Sequence, residues 1–195
     1  MELCFLFWLF SIAHGFEKTE VLDKFVEDLI DTWQIRSPTI IYQDDLPELC
    51  RKRDWILCLS NAWDMSELAQ HMVDIYSQTK HDGLIFLGHG HEKLLKKLAD
   101  DAPLLLSTNY PIFMPISYKT DVKLRLDSNV LFYEEKNVVN YDLYDIFAVK
   151  GGPHITLEVG NWDIDNGMRL MTGLNRWDRR TDLKGVNFKN SFADN

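Results

Sequence analysis

The sequence predicts an α/β protein: a single lobe built on a parallel sheet, with a strand-rich C-terminal end. Two observations carry this. Up to about residue 110, short runs that are apolar throughout alternate with amphipathic segments, and from Val122 onward short strand-like stretches take over, several with apolar–polar alternation. With 195 residues, 46% of them hydrophobic and 12% aromatic, the chain suffices for one sizeable folded domain.

The elements follow in order. Val21, Leu22, Phe25, Val26, Leu29, Ile30 and Trp33 recur at helical spacing with acids and lysines between them, and Ser37-Pro38 stops that helix. Thr39–Tyr42 reads as a short strand and Trp55–Leu59 as a second apolar one. Asp64, with Glu67 three residues on, opens a helix whose apolar face is Leu68, Ala69, Met72, Val73 and Tyr76. Leu84–Leu87 is a third apolar run, and Leu94, Leu95, Leu98 and Ala99 form the next helical face, ended by Pro103 and followed by Leu104–Leu106. Strands apolar on both faces and separated by helices belong in a parallel sheet covered on both sides, so residues from about 17 to 110 read as a doubly wound half-domain. Beyond them, Val122, Leu124 and Leu126 have the period of a half-buried strand. Val130–Tyr133, Leu143–Val149 and the alternating Ile155, Leu157 and Val159 follow as further strands, with a turn at Gly151-Gly-Pro153.

The N-terminus is a separate matter. Leu3–Ile12 is apolar but too short to span a bilayer, and Ala13-His14-Gly15 places small residues at the two positions a signal peptidase reads. Residues 1–15 therefore read as a secretory signal peptide, although Glu2 stands where a basic residue is usual; a buried N-terminal strand or helix is the competing reading. After cleavage Cys50 and Cys58 remain, either as a disulfide or as two buried thiols. No Asn-x-Ser/Thr sequon supports secretion independently.

Charge and motifs exclude much. Thirty acidic against 21 basic residues give a net charge of −9, which disfavours nucleic acid and anionic membrane surfaces as partners. No dinucleotide fingerprint, phosphate-binding loop or nucleophile elbow occurs, so neither a cofactor nor catalytic residues are expected. The pairs Asp44-Asp45, Glu134-Glu135 and Asp163-Ile-Asp165 read as solvated turn carboxylates. Gly88-His-Gly-His91 lies after a buried strand and before a helix, where open α/β sheets place ligands. Together with Ser60 and Asn61 after the preceding strand, His89 and His91 mark a candidate crevice. A metal site lacks a third ligand at suitable spacing, and the plainer reading is a glycine-rich turn with exposed histidines.

Four stretches then stand in a telling order: Leu124–Asn129, Tyr141–Phe147, Gly160-Asn-Trp162, and Trp177-Asp-Arg-Arg-Thr-Asp-Leu-Lys-Gly185. This order resembles the ionotropic glutamate receptor family, and most closely the divergent chemosensory ionotropic receptors of invertebrates. Trp177, Arg179, Arg180, Leu183 and Gly185 match the family's junction between amino-terminal and ligand-binding domains. The resemblance implies a periplasmic-binding-protein-like single lobe over residues 16–174, with residues 175–195 as the junction and the first strand of the next domain. It also implies a ligand-gated cation channel subunit in the cell membrane, with other receptor subunits as partners. Its small-molecule ligand and its membrane segments would belong to downstream sequence, and no agonist-binding residue can be carried over. Only residues 16–174 precede the junction, which fits the shortened ectodomains of chemosensory members rather than a two-lobed domain, and counts against glutamate as the ligand. An Arg pair can hold carboxylates or carbonyls at such a junction, and a Gly permits the turn into a new strand. In this chain alone, without the adjoining domain, the two arginines are expected to be solvated. The alternatives are a secreted small-molecule-binding module using the crevice near Ser60 and His89, and an extracellular α/β enzyme.

Overall fold

The computed structural model describes residues 18–43, 46–60, 65–77, 82–88, 91–107, 110–116, 122, 124–149 and 153–180. Its helices are α1 (Lys18–Thr32), α2 (Glu48–Lys52), α3 (Met65–Ser77), α4 (Glu92–Asp101), α5 (Pro103–Leu106) and α6 (Arg176–Arg179). Its strands are β1 (Pro38–Tyr42), β2 (Leu57–Ser60), β3 (Gly83–Leu87), β4 (Ile112–Pro115), β5 (Val130–Asn137), β6 (Asn140–Ala148), β7 (His154–Asp163) and β8 (Gly167–Leu170). All eight strands join in one open sheet, in the order β2-β1-β3-β4-β5-β6-β7-β8. Neighbours from β2 to β5 run parallel, and β5 to β8 pair antiparallel.

The apolar runs are explained by burial on both faces. Ile40, Ile85, Phe113, Leu131 and Tyr133 point to one side of the sheet, where α1 supplies Val21, Phe25, Val26, Leu29 and Ile30. Their neighbours Ile41, Leu84, Phe86, Ile112, Met114, Val130 and Phe132 point to the other, under Leu68 and Met72 of α3 and Leu94, Leu95 and Leu98 of α4. Successive side chains of a strand alternate between faces, so a strand covered on both sides must be apolar throughout.

On the α1 side the core is aromatic. Phe25 stacks on Tyr141 at 4.2 Å between ring centroids and meets Tyr133 and Trp162 edge-on at 5.2 and 5.4 Å. The Trp162 indole N–H donates to Asp28 at 2.6 Å, satisfying the polar end of a ring that is 1% exposed. Gly160 is required by close approach: a Cβ there would lie 2.3 Å from the Arg169 carbonyl oxygen of β8.

Several expectations need correction. Leu104–Leu106, which the sequence leaves without an assignment, lies in the helical turn α5, with Pro103 at its first position, where a missing N–H costs nothing. Val122–Leu126 is not a strand. Val122 and Leu124 are buried as the alternation requires, but among the described residues the segment makes an isolated bridge, Arg125 to Ala148, before turning at Ser128. Strands β4 and β8 are additions to the sequence reading. Cys50 of α2 and Cys58 of β2 are bonded, their Cα atoms 6.1 Å apart, within the usual disulfide span. Residues 1–15, Asp44-Asp45 and the Gly151-Gly152 part of the predicted turn lie outside the described residues. Among the described residues no helix is long and apolar enough to cross a membrane.

Candidate functional site

The chain passes from β1 out to β2 and then back across β1 to β3, so the connections diverge between β1 and β3. In open α/β sheets the crevice beyond the carboxyl ends of strands at such a switch point is where ligands bind. A crevice of about 380 Å³ lies there. Its walls are the strand ends Tyr42, Leu87-Gly88 and Pro115-Ile116, the first turns of α1 from Lys18 to Asp23, and the approach to α2 at Leu46-Pro47, while Tyr133 and Tyr141 face it from β5 and β6. Gly88, at φ +89°, brings backbone to its edge in a conformation that side-chain-bearing residues rarely adopt.

The histidine turn is placed differently from expectation. His91 is not exposed: it is 2% accessible, its Nε2–H donates to the Leu87 carbonyl at 2.9 Å, and its ring lies 5.1 Å from that of Phe86. Its hydrogen bond to the end of β3 holds the imidazole inward, and His91 is not among the residues that line the crevice. Ser60 ends β2 beside Tyr42 and does not line the crevice either. Asn61 and His89 lie outside the described residues. Among the described residues no three His, Cys, Asp or Glu side chains converge to hold a metal ion.

The acidic pairs are also more than solvated turns. Glu134 and Glu135 lie on β5; Glu134 accepts from Lys136 at 2.6 Å, and Glu135 pairs with Lys18 at 3.3 Å. Asp163 caps the β7–β8 turn, accepting from the backbone and the side-chain amide of Asn166. Those bonds, led by the side-chain amide, hold its carboxyl below the usual range.

A second constellation forms at the C-terminal end. Asn175 caps α6 by accepting from the Trp177 N–H at 2.9 Å, and this single turn aims two guanidiniums into the protein. Arg179 and Arg180 each donate Nε to Asp145 Oδ2 at 3.0 Å, and Arg180 Nη2 donates to Asp145 Oδ1 at 2.6 Å. Asp145 is fully buried and both arginines are 4% exposed. One carboxylate cannot neutralise two cations, and backbone oxygens supply the remainder. Arg179 donates to the Leu174 carbonyl, and Arg180 to the carbonyls of Leu126 and Ser128. The Asn129 amide oxygen accepts from Arg179 at 3.4 Å, and Phe147 lies under the Arg180 guanidinium at 4.4 Å. Burial lowers the Arg179 pKa, and the facing Asp145 opposes that shift.

The expectation that these arginines are solvated in the chain alone is therefore overturned, because their partners lie within the same sheet and its adjoining loop. Trp177 is half exposed, with the Arg176 guanidinium 5.0 Å from its ring centroid. Leu183 and Gly185 lie outside the described residues. The residue the sequence reading missed is Asp145. Its signal was present: a lone acid in step with Tyr141, Leu143 and Phe147, at the inward positions of an alternating strand. Neither a protein-family model nor a curated protein matches this chain.

Proposed function

We propose that this chain is the extracellular N-terminal part of a ligand-gated cation channel subunit of the ionotropic receptor type, with a chemosensory role. It serves assembly or modulation rather than chemistry. One observation supports this most. Three of the four stretches that carry the resemblance meet at one carboxylate: Leu126–Asn129, the β6 segment with Asp145 and Phe147, and Arg179-Arg180. A junction that must transmit position to a neighbouring domain needs a chain outlet held rigidly to its own domain, and this cluster is such a hold. The Cys50–Cys58 disulfide supports the secretory route the proposal requires.

A second reading, a secreted small-molecule-binding module without a channel, is favoured by the crevice at the switch point. Sequencing the transcript beyond the Asn195 codon separates the two. The channel reading expects an open frame encoding a further strand–helix lobe interrupted by three membrane-length apolar segments. A stop codon directly after Asn195 overturns it.

A further inference from the structure

We propose that the crevice over β1, β3 and β4 binds a small organic amine with an apolar or aromatic body. This rests on the crevice being a ligand site, as in the second reading above. Its volume of about 380 Å³ lies at the small end of ligand pockets, which run to roughly 1,000 Å³. The lining is chiefly apolar and aromatic, with Leu22, Leu87 and Ile116 beside Tyr42, Tyr133 and Tyr141. Aromatic faces attract cations.

The charges point the same way. Among the described residues, three charged side chains line the crevice: Lys18, Asp23 and Glu135. Lys18 pairs with Glu135 at 3.3 Å, which leaves Asp23 as the surplus negative charge among the described lining residues. Asp23 accepts one hydrogen bond, from the Leu49 N–H at 2.9 Å. The acids near it are already paired, Glu48 with Lys52 at 2.9 Å and Glu27 with Arg53 at 3.2 Å. Burial raises the Asp23 pKa, and the hydrogen bond from the Leu49 N–H opposes that shift. An ammonium group seated beside Asp23 balances its charge, while a carboxylate ligand would face two acids.

The test uses the purified chain and three probes of similar shape: phenethylamine, phenethyl alcohol and hydrocinnamate. Titration calorimetry is run on the chain, on Asp23→Asn and on Leu22→Trp. The first variant keeps an acceptor oxygen for the Leu49 N–H, and the second fills the crevice without touching the charge. Phenethylamine is expected to bind best, to weaken about tenfold in Asp23→Asn with the loss of one charge-assisted contact, and to lose binding in Leu22→Trp. If the alcohol or the acid binds as tightly as the amine and Leu22→Trp abolishes it, the amine assignment is overturned while the crevice stands as a site. Amine binding that neither variant weakens places the amine elsewhere and overturns the proposal. If no probe binds the unaltered chain, the crevice reading fails together with it.

Discussion

Asp145 shows how one residue changes the meaning of others. The arginines at 179 and 180 were legible as a pair made for carboxylates, but their direction was not, because a sequence does not show which acid lies within reach. His91 gives the same lesson. A histidine in a glycine-rich turn reads as exposed, yet a carbonyl four residues back gives its Nε2–H a buried partner. Tyrosine carries the clearest pH signature. Burial pushes the Tyr141 hydroxyl up to about 12 and that of Tyr133 well above its ordinary 10.0. The unfolded chain releases these protons near the ordinary value while the native one retains them, so above it the unfolded state binds fewer protons. The stability they contribute is intact below pH 10.0 and falls as pH rises through about 12. Tyrosinate absorbance, followed with circular dichroism, should show part of the seven-tyrosine signal appearing only as the fold is lost. Full ionisation near the ordinary value with native dichroism would refute it.

At the level of elements, what could be read was what burial dictates. The parallel strands β1, β2 and β3 and the faces of α1, α3 and α4 were visible because a strand covered on both sides must be apolar throughout and a helix on one side only. Strand β4 was hidden by prolines at 111 and 115, which argue against a central strand; here Pro115 is the strand's last residue, where the ladder ends. The short β8 was hidden because half-exposed residues beside a turn carry no period. The alternation of Val122–Leu126 was real but served a loop that buries two side chains and lends the Leu126 carbonyl to Arg180. The disulfide was open in the sequence because Cys58 belongs to an apolar run, and only the approach of α2 to β2 decides it. Replacing both Cys50 and Cys58 with Ser should cost about 2–3 kcal/mol by loop-closure entropy for so short a loop. Denaturant unfolding measures this, and a double variant as stable as the parent would mean the bond does not form.

For the molecule as a whole, the parallel half carries the crevice and the antiparallel half carries the brace, within one sheet. The switch point was implicit in the predicted alternation of helix and strand, but the crevice's lining was not, since it draws on residues from Lys18 to Tyr141. Removing Arg179 and Arg180 leaves Asp145 buried and unpaired, a loss on the order of 3–5 kcal/mol, or roughly 10 °C in melting temperature for a domain of this size. The measurement is the thermal melt of this chain with Arg179→Ala and Arg180→Ala together, alongside hydrogen exchange of residues 126–129 and 174–180. The account predicts a melt lowered by about that amount, with faster exchange in both segments. A double variant that melts with the parent and exchanges no faster would show the arginines to be solvated and contradict the account.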